Sequence, residues 1–387
     1  MERADSQAMF ALLRSTLYGT KLSKSEIEEL DGERIARLVA MAKKHDISHL
    51  FVLGLKNNGI LINNAALEAE RMMIGAVYRY ENLNYEYQRV CSAFEEEKIP
   101  FIPLKGTVLR QYYPEPWMRT SCDMDILIHK EDIDRATKCL IDRFEYVQNG
   151  NTPHDVSLFS GSGMHIELHF DLIEEGRAVD AVGILKNVWE NVQLHKGTDY
   201  QYDMTDEFFY FYHIAHMAKH FENGGCGVRP FIDLWILENI EGADRTKRKE
   251  LLKKGGLNKF EAATRKVSKV WLEGEDADEL SMQMINFVLY GGAYGTLGNR
   301  IALRQKRQGG RIGYILSRVF MPYAVLKRYY PVIEKHKWLT PFMQVKRWIG
   351  LMKSNPAQKA KHELILNAGV EKDKAIEMED FLKKLGL

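Results

Sequence analysis

Asp123 and Asp125 stand two residues apart at the head of an apolar run, Asp123-Met124-Asp125-Ile126-Leu127-Ile128. Glu167 stands alone between apolar neighbours in the run from Met164 to Phe170. Strand side chains alternate, so Asp123 and Asp125 share one face while Met124, Ile126 and Ile128 share the other. In the later run His165, Glu167 and His169 point one way, and Ile166, Leu168 and Phe170 the other. Two such strands, neighbours in register, would gather three carboxylates. Like charges so close are costly unless a cation neutralises them. Hard divalent ions take oxygen ligands, and Mg²⁺ typically takes one or two carboxylates together with substrate phosphates. Asp123, Asp125 and Glu167 are thus candidate ligands of a metal, Mg²⁺ or Mn²⁺.

The elements around these residues must position them. Ile99 to Leu104 reads as an apolar strand ending in Lys105-Gly106-Thr107. Thr107 to Tyr113 then predicts a short helix, stopped by Pro114 and Pro116. A glycine there lets the backbone approach an anion, and a helix N-terminus favours one. Glu131 and Asp132 open a second helix, with Ile133, Ala136, Leu140, Ile141 and Phe144 as its apolar face. Tyr146 and Val147 suggest a short strand. Asp155 to Phe159 and Met164 to Phe170 flank Ser160-Gly161-Ser162-Gly163, which reads as a hairpin turn.

On either side the pattern is helical. Residues 1–98 carry apolar stripes at helical spacing, with a long stretch from Ala65 to Glu97 free of proline. His45 and His49 in that region read as structural. Residues 176–253 return to helix, where His213, His216 and His220 fall on one face. The four-residue spacing of His216 and His220 suits a metal-binding helix, but no Glu follows His216 as in His-Glu-x-x-His. This helix is expected instead to cover the acidic cluster, with Lys219, His220, Arg229 and Asp233 lining the cleft. The alternative for the last two is an Arg229–Asp233 pair that fixes the loop.

Residues 254–387 are again mostly helical. Between 300 and 353 there are 13 Lys or Arg against one acidic residue, Glu334, interleaved with Tyr, Phe and Trp. Three readings stay open for this region: a solvated surface, an anionic membrane surface, or a nucleic-acid backbone. Net charge over the whole chain is only +1, which gives no global case for nucleic acid. The four cysteines are scattered without a Cys-x-x-Cys pair, so structural zinc is not expected and a reducing compartment fits. No signal-type segment or membrane span is read, and the expected location is cytoplasmic, with peripheral membrane contact through 300–353 as an option.

A Gly turn after a strand, an Asp-x-Asp and a third acidic residue on a later strand resemble the DNA polymerase β-like nucleotidyltransferase superfamily. Leu104-Lys105-Gly106, Tyr113-Pro114, Arg119, the Asp123–Ile128 run, Ile166-Glu167-Leu168-His169, His216-x-x-x-His220 and Asp233 more narrowly resemble the uncharacterised bacterial nucleotidyltransferases. That resemblance covers about residues 99 to 235, and the flanking helices share it only loosely. It implies an α+β fold, with a small mixed β-sheet nucleotidyltransferase core flanked by large helical regions. The divisions expected are a helical region at 1–98, the core at 99–175, a helical domain over the cleft at 176–253, and a basic, aromatic helical region at 254–387.

The implied activity is metal-dependent transfer of a nucleoside monophosphate from an NTP, such as ATP, to an acceptor. The acceptor, a small molecule, sugar or protein hydroxyl, is not identified by the sequence. Asp123, Asp125 and Glu167 would hold the metal, and Glu167 would serve the nucleophile. Lys105, Gly106, Thr107, Arg119, Lys219 and Arg229 would bind the nucleotide. Thr107 stands where Ser is usual in the superfamily and keeps the hydroxyl. A non-catalytic nucleotide-binding or regulatory protein, and a nucleic-acid-modifying nucleotidyltransferase, remain the other readings.

Overall fold

In a computed structural model, residues 3–60, 64–151, 154–172, 179–293, 295–353, 367, 369 and 372–387 are described. The chain opens with helices α1 (Arg3–Tyr18), α2 (Lys24–Glu28), α3 (Gly32–Lys44), α4 (Ser48–Asn57) and the long α5 (Asn64–Glu96). Local chemistry sets the early boundaries. Ser23 and Glu26 form a reciprocal capping box on α2, and the Asp31 carboxylate accepts the Arg34 N–H at the start of α3. Gly54 lets α4 lie against α1, since a Cβ there would sit 2.4 Å from the Leu12 carbonyl oxygen.

A five-stranded mixed sheet follows, in the order β1-β2-β5-β4-β3. Its strands are β1 (Phe101–Pro103), β2 (Asp123–Ile128), β3 (Val147–Asn151), β4 (Asp155–Phe159) and β5 (His165–His169). Strand β2 runs antiparallel to β1 and parallel to β5. Helices α6 (Lys105–Leu109) and α7 (Ile133–Phe144) leave β1 and β2 respectively. Met124, Ile126, Ile128, Ile166 and Leu168 bury one sheet face against Val90 and Phe94 of α5 and Ala136 and Leu140 of α7. Ile141, expected on that apolar face, is instead exposed.

The opposite sheet face belongs to the larger core. Ile102, Leu104 and Leu127 join apolar residues of α1, α3 and α4 and of the helices that follow the sheet. Those are α8 (Val179–Leu185), α9 (Asp206–Glu222), α10 (Arg229–Glu238), α11 (Arg245–Lys254), α12 (Asn258–Leu272) and α13 (Glu279–Gly291). Beyond them lie α14 (Leu297–Arg307), α15 (Arg311–Val319), α16 (Tyr323–Tyr329), α17 (Val332–Lys335), α18 (Thr340–Lys353) and α19 (Lys372–Lys384). Phe381, Leu382 and Leu385 return the chain's end to the larger core.

The stretch read as helix after residue 176 also holds a hairpin, β6 (Val192–Leu194) with β7 (Tyr202–Met204). Its backbone is satisfied from a distance. The Glu95 carboxylate of α5 accepts the N–H groups of Asp199, Tyr200 and Gln201, and Phe101 donates its N–H to the Tyr200 carbonyl at 2.9 Å. These partners are about a hundred residues away in sequence, so local periodicity carried no sign of them.

Candidate active site

Strands β2 and β5 pair in parallel with Asp123 opposite His165, Asp125 opposite Glu167 and Leu127 opposite His169. This register places both charged rows on one sheet face. Ligand atoms of Asp123, His165 and Glu167 lie within 4.8 Å of one another, and so do those of Asp125, Glu167 and His169. Glu167 belongs to both groups. Strand β1 steadies the cluster from the other side, where the Leu104 N–H donates to the Asp125 carbonyl at 3.0 Å.

Two donors converge on Asp125. Lys105 Nζ lies 3.1 Å from Oδ1, and His169 Nε2 lies 2.8 Å from the same oxygen. His169 Nε2 is also 3.4 Å from Glu167 Oε2. Burial opposes the Asp125 charge, but Lys105 and His169 outweigh it and hold the carboxyl far below the ordinary range. Burial likewise works against His169 and Lys105, and their carboxylate partners raise both pKa values. The hydrogen bond from His169 keeps Glu167 below the usual range. Asp123 differs: burial, and then the charge of Asp125, push its carboxyl up. Lys105 and the His169 hydrogen bond therefore favour the charge on Asp125, while the charge on Asp123 stays disfavoured. A set of three carboxylates with that imbalance fits a hard divalent cation.

Lys105 begins α6 with a φ of +45°, a left-handed conformation that disfavours a residue with a Cβ. Residues in such conformations cluster at functional sites. Gly106 lines the cleft, and a Cβ on it would sit 3.3 Å from Ser121 Cβ and 3.5 Å from the Arg119 guanidinium. Thr107 does not line the cleft. Its N–H is bonded to the Leu104 carbonyl, and its hydroxyl is enclosed with no hydrogen-bond partner.

The remaining candidates fall into two polar clamps that tie α10 to the loop before β2. Arg119 Nε and the Tyr113 hydroxyl both donate to Asp233 Oδ1 at 2.7 Å. Arg229 donates to Asp46 Oδ2 at 2.9 Å and to the carbonyl and hydroxyl of Thr120. The Arg229–Asp233 pair weighed from sequence is thus replaced by two pairs with other partners. Both arginines still line the cleft.

The cleft has a volume of about 330 Å³. One wall is α9, whose Tyr212, His213, His216, Lys219 and His220 face the carboxylates. Burial, then the nearby Lys105 charge, bring Lys219 down to about 8. His216 and His220 touch through their Nε2 atoms at 3.3 Å, and burial depresses both. His213 Nε2 donates to the Pro230 carbonyl at 3.0 Å. His45, read from sequence as structural, donates from Nε2 to the Leu289 carbonyl at 3.3 Å and also reaches the cleft. His49 is buried and donates to the Met118 carbonyl at 2.8 Å. Sequence reasoning missed Asp46, Ser121 and Tyr212, and it gave Tyr113 no role beyond its place in the Tyr113-Pro114 motif. Of the three missed residues only Tyr212 carried a signal, one helical turn before His216.

A sheet face that presents three acidic side chains beneath a helical cover, with lysines in the same cleft, is an arrangement suited to phosphate chemistry with a divalent ion. The comparison with family models is specific: residues 31–273 match the model described as uncharacterised nucleotidyltransferase. The match spans more than half of the chain, and the chain belongs to that family. No curated protein and no solved structure matches.

Proposed function

We propose that the protein transfers a nucleoside monophosphate from an NTP to an acceptor hydroxyl, with Asp123, Asp125 and Glu167 holding divalent metal. The observation that carries this reading is the sharing of Glu167 between two groups of converging ligand atoms. When bound, the metal would neutralise phosphate charge and stabilise the attacking and leaving oxygens. Oxygen donors favour Mg²⁺ or Mn²⁺.

The other residues then have separable roles. Glu167, kept ionised by His169, can accept the proton of the acceptor hydroxyl. Lys105 and Lys219 offset phosphate charge. Gly106 leaves room for the triphosphate beside Ser121 and Arg119. Arg119, held through Nε by Asp233 and through a terminal nitrogen by the Thr120 carbonyl, lines the cleft, and Arg229 supports the same loop through Thr120. Thr107, with its N–H already engaged, has the weakest support as a nucleotide contact.

The test is incubation of the protein with each α-labelled NTP, Mg²⁺ and a cell extract, followed by identification of the labelled product. Label that appears with one NTP and disappears with Asp123→Asn supports the reading. Absence of label with every NTP, or undiminished labelling by Asp123→Asn, would leave the non-catalytic binding protein as the better account.

A further inference from the structure

Large apolar side chains are unevenly exposed on this molecule. Of the 22 exposed ones among the described residues, 11 lie between Ile312 and Ile349. That is a small fraction of the chain, so the excess marks a surface rather than scatter.

The exposure follows helical periodicity. On α15, Ile312, Ile315, Leu316 and Val319 form one stripe, and each is exposed. The buried residue of that helix, Tyr314, lies on the opposite side. The same inversion holds on α18, where Phe342, Val345 and Ile349 are exposed and Gln344 is buried. Trp338, just before α18, is exposed and packs edge-on against Phe342 with ring centroids 6.1 Å apart. The two helices are fastened together from behind. Arg347 donates to the carbonyls of Arg318 and Val319, Trp348 Nε1 donates to the Val319 carbonyl at 2.8 Å, and the Phe320 and Trp348 rings meet edge to face at 5.6 Å. Both helices thus direct their polar bonds inward and their apolar stripes outward, the reverse of an ordinary surface helix.

Charge selects the occupant. Arg311 and Arg318, seven residues apart, are exposed along one flank of the α15 stripe, and Lys335, Lys337 and Lys346 are exposed around α18. Across 300–353 the balance is 13 basic residues to one acidic. A partner must therefore be anionic and also accept Ile, Leu and Val side chains. Nucleic acid meets the first condition but not the second, because bases stack on aromatic rings and not on branched aliphatic ones. An anionic bilayer meets both, with acyl chains for the stripe and headgroups for the cations.

We propose that α15 and α18 form a face that docks on an anionic lipid bilayer, the apolar stripes lying at the headgroup–acyl boundary and the flanking arginines and lysines on the headgroups. This places the face at a membrane surface, and no helix among the described residues is long and apolar enough to span one.

The experiment is flotation of the full chain with vesicles of phosphatidylcholine alone and of phosphatidylcholine with phosphatidylglycerol in equal parts. The protein is expected to float with the mixed vesicles and not with the neutral ones. Leu316→Ser combined with Phe342→Ser and Ile349→Ser should weaken that binding at least about tenfold, since apolar burial drives interfacial insertion. Arg311→Gln and Arg318→Gln should each weaken it about fivefold, the expected worth of one basic residue at an anionic surface. Trp338 emission should shift to the blue on the mixed vesicles, and Trp338→Phe should remove part of that shift. All these positions are exposed, and unchanged thermal melting would show that the fold is kept.

Failure to float with mixed vesicles would overturn the proposal, as would flotation unaffected by the triple serine variant. Retention of single-stranded nucleic acid, without vesicle binding, would reassign the face to a polynucleotide. A concentration-dependent dimer abolished by the same serine variant, again without vesicle binding, would reassign it to a second copy of the chain.

Discussion

Lys105 Nζ donates to Asp125 Oδ1 at 3.1 Å from a residue whose own backbone is left-handed. The pair is informative because each partner has a second role to fill in a nucleotidyl transfer. Asp125 would bind metal, and Lys105 would bind phosphate. While they hold each other, the most buried carboxylate of the cluster keeps a counter-charge. The conformation at Lys105 costs on the order of 1–2 kcal/mol, so the turn is held by its surroundings.

Lys105→Gln should expose both roles. With the ammonium gone, Asp125 loses its lysine counter-charge and keeps only the His169 hydrogen bond, and thermal stability should fall. Breaking one partner out of a buried pair costs about 3–5 kcal/mol, and the half-buried lysine here puts the loss at or below that range. NTP binding should weaken, because the lysine would contact phosphate in ground and transition states alike, so KM should rise more than kcat falls. Lys105→Gly offers a comparison: it removes the same charge but relieves the backbone, and should melt higher than Lys105→Gln. Equal melting of the two variants would show that the left-handed turn stores no strain.

Asp123→Asn should behave in the opposite sense toward stability. Its carboxyl is pushed up by burial and by Asp125, so the neutral amide removes an unfavourable charge. Melting in chelator should stay unchanged or rise slightly. Activity should nevertheless drop at least about a hundredfold, since metal-assisted charge stabilisation is worth several kcal/mol and each 1.36 kcal/mol is about tenfold in rate. Glu167→Gln should lose a similar factor, within the 10²–10⁴-fold span of acid–base contributions. The readout is label transfer beside melts with and without Mg²⁺. A metal-induced rise in melting temperature that survives both substitutions would place the ion elsewhere.

These contrasts also show what could be read from the sequence. Alternation alone put Asp123, Asp125 and Glu167 on defined faces, and the observed β2–β5 register brings those faces together. The helical spacing of His213, His216 and His220 likewise shows which side of α9 meets the sheet. What stayed hidden was pairing at long range. Arg119 finds Asp233 across 114 positions, and Arg229 finds Asp46 across 183. From sequence the natural partner of Arg229 was Asp233, four residues away. Local proximity is a poor guide there, because Arg229 and Asp233 leave α10 toward different neighbours. The β6–β7 hairpin was hidden for the same reason, since Glu95 and β1 satisfy its backbone from outside the segment.

Asp233→Asn tests whether the Arg119 clamp acts on nucleotide binding or only on folding. Asp233 is buried and is shared by Arg119 and Tyr113. Removing its charge leaves a buried guanidinium uncompensated, which costs about 3–5 kcal/mol. Adding Arg119→Met should return much of that stability, because the unpaired charge is then gone. If Arg119 contacts phosphate, the double variant should remain defective in NTP binding although its melting recovers. Recovery of both together would mark the clamp as structural.

His45 and His220 predict a stability that declines in mild acid. His45 and His220 are both lowered from 6.5 to about 4, mainly by burial, with Lys44 adding at His45 and Lys219 at His220. In the unfolded chain each binds a proton near pH 6.5, whereas in the folded chain neither does until near pH 4. Between those values the unfolded state holds more protons, so stability falls as pH falls, and above about pH 6.5 these residues contribute no slope. The full effect is on the order of 3 kcal/mol for each histidine. Asp125 does not offset it in this window, because a carboxyl held low in the fold loses its stabilisation only at lower pH. Asp123, pushed up, works in the other direction, so the measurement is cleaner in Asp123→Asn. His45 gives the sharper test of the two. Its Nε2–H is bonded to the Leu289 carbonyl, and its Nδ1 is enclosed without a partner, so a second proton would have no acceptor. Urea midpoints taken from pH 7 to pH 5 should fall for the parent and fall less for His45→Gln. Parallel curves for the two proteins would mean that the enclosed Nδ1 does not govern the acid response.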